Sequence, residues 1–245
     1  MALLELDRVT KRFGQLTIAD GLSLAVDEGA LVGIVGPNGA GKTTLFGIVS
    51  GDLRPDAGRV LLDGRVINRL DPAARCRLGI GRTYQVPRPF GGMTVFENVL
   101  MATQQGARLR GAESRAAAAE VLERTHLGPL ANRPAANLGL LHRKRLELAR
   151  ALATRPRLLL LDEVAGGLTE PEVAELTDIV RAIQADGTAV VWIEHVVRAL
   201  VATVGRLLCL AGGQFVADGP PREVLANPVV REVYLGTSLA AAEVP

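Results

Sequence analysis

Apolar and charged residues alternate from Leu3 to Val9, and Leu22 to Val26 keeps the same period of two. Both stretches predict half-buried strands with turn material between them. Leu31 to Val35 is an unbroken apolar run ending at Gly36, the pattern of a parallel strand covered on both faces. From Thr43 the period becomes helical and stops at Gly51; a loop with Pro55 and Gly58 follows, and Arg59 to Val66 predicts a further strand. Between about Val86 and Pro156 helix-forming residues prevail, with an Ala-rich stretch at Ala116 to Ala119 and a periodic segment at Lys144 to Leu152, which predicts a helical insertion. Strand signals resume at Leu158 to Leu161 and Ala189 to Ile193, with a helix pattern from Pro171 to Ala185 between them. That is the βαβ rhythm of a parallel sheet. Leu207 to Leu210 and Gln214 to Ala217 predict a hairpin about Gly212-Gly213.

Length and composition narrow this picture. A chain of 245 residues can bury one large α/β core, with or without an inserted subdomain. A net charge of +2 is too mild to imply nucleic acid as a partner. The basic run Arg143-Lys144-Arg145 reads as a solvated helix face. Cys76 and Cys209 stand far apart without a Cys-x-x-Cys pattern, which argues for neither a disulfide framework nor a zinc site and suits a reducing compartment. Met1 to Val9 lacks the basic head and apolar run of a signal peptide, and the longest apolar runs are far too short to cross a bilayer. Work at a membrane would need a partner to hold the chain there. Disorder is expected only at the extreme C-terminus, around Ala240 to Ala242.

Candidate chemistry begins at Gly36-Pro37-Asn38-Gly39-Ala40-Gly41-Lys42-Thr43, a Gly-x-x-x-x-Gly-Lys-Thr spacing between a strand pattern and a helix pattern. Glycines at this spacing let successive backbone N–H groups point at a phosphate, and the following helix adds its positive end. Lys42 is placed to reach the β- and γ-phosphates of ATP, and the Thr43 hydroxyl to bind Mg²⁺. Downstream, Leu158 to Leu161 deliver Asp162-Glu163 at the C-terminal end of a strand, where ligands bind in open α/β sheets. Asp162 suits Mg²⁺ held through water, and Glu163 suits a carboxylate that orients or deprotonates the attacking water.

At this point the chain resembles, over essentially its whole length, the nucleotide-binding subunit of ATP-binding cassette (ABC) transporters. The carriers are the GPNGAGKTT loop from Gly36 to Thr44, Gln85 in GRTYQVPRPF, Asp162-Glu163 in LLLLDE and His195 in WIEHVV. The resemblance implies an α/β fold: a RecA-like P-loop NTPase core with a mostly parallel sheet, an N-terminal antiparallel β subdomain and an inserted α-helical subdomain. It implies one ABC ATPase domain over 1–245, with the nucleotide-binding core in 1–85 and 156–245 and the helical subdomain in 86–155. It implies ATP and Mg²⁺ as cofactors. Phe13 takes the position of the adenine-stacking aromatic, Gln85 that of a metal- and water-contacting residue and His195 that of the γ-phosphate sensor; Thr44 completes the phosphate loop.

A narrower resemblance, to ATPases of branched-chain amino-acid importers, is carried by RTYQVPRPFGGMTVFENVL, KRLELARAL and ANPVVREVYLG. It implies membrane-embedded permease subunits, a second ATPase subunit and an extracytoplasmic substrate-binding protein as partners, and a peripheral place on the cytoplasmic face of the membrane. Met93 to Leu100 is then expected to line the groove for a permease coupling helix. Relatives with other cargo, urea or amides or lipopolysaccharide, have similar ATPases, and a soluble ABC ATPase outside transport is the remaining alternative. The family signature Leu-Ser-Gly-Gly-Gln is here Leu138-Gly139-Leu140-Leu141-His142, which lacks the serine hydroxyl and puts Leu141 where close backbone approach to a phosphate calls for glycine. That departure leads us to expect a heterodimer with one competent and one impaired site. Val164 and Thr169 also depart from the family's usual Pro and Asp, and altered communication between sites is the expected result.

Overall fold

The computed structural model describes residues 2–195 and 197–235. The first two strands are longer than their apolar pattern: β1 (Ala2–Phe13) pairs antiparallel with β2 (Leu16–Asp27). Their polar ends are held by local bonds, since Asp56 accepts from Lys11 Nζ at 2.9 Å and from the Arg12 backbone N–H at 2.7 Å. The strand expected from Arg59 to Val66 is broken in two. β4 (Ala57–Leu62) and β5 (Arg65–Val66) flank a turn at Asp63-Gly64, where both residues take positive φ. These four strands form one antiparallel sheet in the order β2-β1-β4-β5.

The second sheet is built from β3 (Leu31–Val35), β6 (Ile80–Arg82), β7 (Leu158–Asp162), β8 (Ala189–Ile193), β9 (Arg206–Ala211) and β10 (Gln214–Gly219), in the order β10-β9-β3-β8-β7-β6. All neighbours are parallel except β10, which returns from β9 about Gly212-Gly213 as expected. The apolar runs of β7 and β8 now make sense residue by residue. Leu159, Leu161, Val190 and Trp192 face one core, while Leu158, Leu160, Val191 and Ile193 face a second core shared with the antiparallel sheet. Each is at most 2% exposed, and burying such a side chain contributes about 1.5–3 kcal/mol. Between the two sheets lies α1 (Lys42–Ser50), whose Leu45, Phe46, Ile48 and Val49 belong to that second core.

Pro72–Arg77 forms a short helix, α2, before β6. Between β6 and β7 the chain makes α3 (Val95–Gln105), α4 (Gly111–Arg124) and α5 (Leu140–Leu152), joined by two 3-10 turns. Thr94 and Glu97 form a reciprocal cap at the start of α3. α6 (Glu170–Ala185) starts the same way, Thr169 donating from its N–H and hydroxyl to Glu172, both at 2.8 Å. After β8 come α7 (Val197–Val201), α8 (Pro221–Ala226) and α9 (Pro228–Leu235). The C-terminal stretch expected to be disordered lies outside the described residues.

One expectation is corrected. Arg143-Lys144-Arg145 is not a solvated face, because Lys144 and Arg145 are 5% and 4% exposed and only Arg143 faces solvent. The helical period explains this, since Lys144 shares a face with Leu148 and Leu141. In Met93 to Leu100, Val95 and Val99 are fully buried, whereas Met93, Phe96 and Leu100 keep part of their surface, Phe96 and Leu100 packing on the core with the rest. Just upstream, the large apolar side chains of Tyr84, Val86 and Phe90 are exposed.

Candidate active site

The loop after β3 is shaped by backbone that only glycine accepts without strain. Gly41 precedes α1 at φ 100°, and a Cβ there would lie 2.7 Å from the Ile18 carbonyl oxygen; at Gly36 it would lie 2.1 Å from that of Leu210. The loop is therefore pressed between β2 and β9, with the N-terminus of α1 opening from it. Lys42 folds back over it and donates to the carbonyls of Gly36 at 2.7 Å and Pro37 at 3.0 Å. Burial pushes the Lys42 ammonium pKa below its ordinary value, with Glu163 and Asp162 opposing that shift by their negative charge. Thr43 is exposed, Thr44 half-buried, Asn38 and Gly39 exposed, and Ala40 buried.

At its far end α1 is capped by a side chain the sequence reading missed. Arg75 of α2 is fully buried and donates to the carbonyls of Ile48 at 2.5 Å, Val49 at 2.9 Å and Leu70 at 3.2 Å. A cation there meets the negative end of the helix and satisfies carbonyls the helix leaves open.

Asp162 ends β7 at 2% exposure. Its backbone N–H bonds the Thr83 hydroxyl at 3.1 Å, and its Oδ2 accepts from Arg82 Nη2 at 3.1 Å. Oδ1 is buried with no hydrogen-bond partner. Burial raises the carboxyl pKa, and the Arg82 guanidinium pulls against that rise. Arg82 also joins Asp52 and Ser50, both at 2.9 Å, so one guanidinium ties β6 to the end of α1 and to β7.

Glu163 is the meeting point of two other sequence-predicted residues, Gln85 and His195. Gln85 Nε2 donates to its Oε2 at 2.5 Å, and His195 Nε2 lies 2.6 Å from its Oε1. The residue sits at φ 50°, a left-handed conformation that costs a non-glycine residue about 1–2 kcal/mol. Its N–H donates to the Ile193 carbonyl at 2.9 Å, and its own carbonyl accepts from Lys144 Nζ of α5 at 3.0 Å. Ala165, two residues on, donates its N–H to Glu194 Oε1 at 2.6 Å. Val164 is buried in the core between them.

Phe13 stands at the end of β1 with its ring 49% exposed and the Lys11 ammonium 5.4 Å from its centre. It is no core residue; its hairpin reaches the phosphate loop through Ile18, which packs against Gly41. In the altered signature, Gly139 precedes α5 with open space about it. Leu140 is exposed and its Cδ2 leans toward Gly167, while Leu141 is partly buried. The bulk presented at the start of α5 is thus mainly Leu140.

A glycine loop closed by a lysine between β3 and α1, beside a strand delivering Asp162 and Glu163, defines a P-loop nucleotide hydrolase. More narrowly, the chain belongs to the ATP-binding subunits of ABC transporters. The family profile described as ABC transporter matches residues 19–166, and one described as branched-chain amino acid ATP-binding cassette transporter matches residues 216–240. The chain is 35% identical to the high-affinity branched-chain amino acid transport ATP-binding protein BraF of Pseudomonas aeruginosa, over 96% of this chain and 98% of that protein. It is 34% identical to the lipopolysaccharide export system ATP-binding protein LptB of Escherichia coli K12, with 96% and 98% covered. The crystal structure of an ABC transporter cassette in its ADP conformation superposes with a TM-score of 0.89 at 31% identity, covering 96% of this chain and 99% of that one. The chain is accordingly an ATP-hydrolysing cassette and a subunit of a transporter complex with membrane permease partners. Among its described residues no helix is long and apolar enough to cross a membrane.

Proposed function

We propose that this chain energises an importer of branched-chain amino acids from the cytoplasmic face of the membrane, as one ATPase of an asymmetric pair. The observation that carries the cargo reading is the branched-chain profile over residues 216–240, the C-terminal stretch containing α8 and α9. Similarity to lipopolysaccharide export ATPases over 96% of the chain is nearly as great, so the branched-chain profile is what favours the amino-acid reading. An extracytoplasmic binding protein delivers the cargo, and permease subunits pass it on.

In this reading Lys42 and the N–H groups from Gly36 to Thr44 hold the ATP phosphates, and Phe13 stacks on adenine. Glu163 takes up or orients the attacking water, and His195 turns from Glu163 to the γ-phosphate as ATP binds. Thr43, Gln85 and Asp162 suit Mg²⁺: all three offer oxygen donors, and the buried, unpartnered Asp162 Oδ1 is the donor a cation would satisfy. Gln85 engages Glu163 through its amide nitrogen, which leaves its carbonyl oxygen for the metal. When bound, Mg²⁺ neutralises charge on the β- and γ-phosphates.

The asymmetry rests on Leu140 and Leu141 at the start of α5, where the family presents small residues to the ATP of the opposite subunit. A leucine there crowds a phosphate and supplies no hydroxyl. Two experiments test the reading. Ligand titration of the binding protein that stimulates the assembled transporter should give isoleucine, leucine or valine as the tight ligand; a different ligand class removes the cargo assignment. The chain purified alone should hydrolyse ATP slowly, and the triple change Gly139→Ser, Leu140→Gly, Leu141→Gly should raise turnover of the assembled transporter. Brisk turnover by the unmodified homodimer would count against the asymmetric pair.

A further inference from the structure

Two buried charges lie behind Glu163, and neither has a part in the ATP chemistry above. Lys144 is 5% exposed and donates to the carbonyl of Glu163 at 3.0 Å. Glu194 is fully buried; its Oε1 accepts from the N–H of Ala165 at 2.6 Å and from the Trp192 indole at 3.1 Å, and its Oε2 has no hydrogen-bond partner. Burying a carboxylate with half its acceptor capacity unused is unfavourable, as is burying an ammonium, and a hydrophobic core needs neither. Both act on one short segment. They hold two backbone groups that follow the left-handed Glu163, its own carbonyl and the Ala165 N–H, and that conformation persists only where its surroundings over-determine it.

The positions of the two residues in the chain add to the case. Lys144 comes from α5, the helix that begins at the altered signature, so it is the side chain by which α5 reaches the backbone of Glu163. Glu194 stands between the end of β8 and His195, so the same carboxylate that holds the turn after Glu163 sits in the backbone that carries His195. Glu163 in turn meets His195 and Gln85 through short contacts that a small rotation of this turn would break.

We propose that Lys144 and Glu194 are positioning residues for ATP hydrolysis, a buried clamp that fixes the backbone of Glu163 and makes its placement depend on the position of α5. The proposal rests on the reading of Glu163 as the water-activating carboxylate. The clamp predicts a separation of kcat from KM, because neither residue touches the phosphate loop.

The test uses the chain assembled with its partner subunits, measured for steady-state ATPase and for ATP affinity. Lys144→Met and Glu194→Ala should each lower kcat about 10- to 100-fold, with KM for ATP within about twofold of wild type, as expected for loss of a charge-assisted hydrogen bond. Lys144→Arg and Glu194→Gln keep the required donor and acceptor and should return kcat to within about threefold. If Glu194→Ala does not fold, Trp192→Phe carries the test: it removes one donor to Glu194 with a modest loss of volume and should cost about 3- to 10-fold in kcat at unchanged KM. Wild-type kcat in the folded variants, or a parallel loss of kcat and affinity that the conservative changes do not rescue, overturns the clamp. Glu163→Gln run alongside separates the two ideas. If it retains turnover, the reading of Glu163 is wrong; if it stops turnover while the clamp variants do not, only the clamp is wrong.

Discussion

His195 Nε2 lies 2.6 Å from Glu163 Oε1, while Gln85 holds the other carboxylate oxygen at 2.5 Å. Both oxygens of the carboxylate are thus engaged by residues from two other loops, which fixes the direction in which its remaining lone pairs can receive a water proton. Glu163→Gln keeps the size of the side chain and removes its basicity. Turnover should fall about 10²- to 10⁴-fold while ATP binding persists, measured as phosphate release and as nucleotide affinity on the same preparation.

Asp162 Oδ1 is the buried oxygen that lacks a partner, so its substitution should appear in the metal dependence of binding. Wild-type protein should bind ATP more tightly with Mg²⁺ than with a chelator. In Asp162→Asn that difference should shrink, and titration calorimetry under both conditions reads it directly; an unchanged metal effect removes Asp162 from the ligand set.

Arg75 closes the end of α1 from a fully buried position. Arg75→Met fills much of the same volume but leaves the Ile48 and Val49 carbonyls without their donor. We expect a loss of about 3 kcal/mol or more in urea denaturation, with the slope unchanged. A loss below about 1 kcal/mol would mean that water replaces the guanidinium.

Burial raises the pKa of Glu194 above 4.5, against the hydrogen bonds from Ala165 and Trp192 and the charge of Lys144. A carboxyl whose pKa is higher folded than unfolded stabilises the protein below the unfolded value, and that contribution is lost as pH rises through the folded value. Glu163 adds to the rise by repulsion. Glu194→Gln does not titrate, so its stability relative to wild type should improve from pH 4.5 upward and level off above the folded pKa. Denaturation curves between about pH 5 and 8 measure this, and a flat difference across that range excludes it.

Cys209 is fully buried in β9, and burial pushes its thiol up to about 11, whereas Cys76 of α2 is partly exposed. An alkylating reagent at neutral pH should modify Cys76 in the folded protein and reach Cys209 only after denaturation. Mass spectrometry of the labelled peptides distinguishes the two.

Local pattern made the phosphate loop, β7, β8 and the β9–β10 hairpin readable, because each is set by a run of a few residues and its flanking glycines. β6 escaped notice: it is three residues long, and its strand character comes from pairing with β7. Arg75, Arg82, Lys144 and Glu194 escaped for a different reason. Apart from Trp192 beside Glu194, these partners lie 5 to 80 residues away in the chain, so little beside them announces a buried charge. For Lys144 a signal was available, since its helical neighbours on one face are leucines. The short positively charged run concealed it. Glu194 carried a fainter one, a carboxylate directly after the fully buried strand Ala189–Ile193.

The place of β3 between β8 and β9 has a consequence for how the protein is made. The phosphate loop leaves the ribosome early, yet the strand that aims it gains its two lateral partners only after residues 189–193 and 206–211 have been synthesised. Until then β3 offers two open edges and an apolar surface, and Gly36 lacks the Leu210 carbonyl that it packs against. A nascent chain therefore carries these uncovered edges through most of its translation, and the nucleotide pocket is completed at one of the last steps.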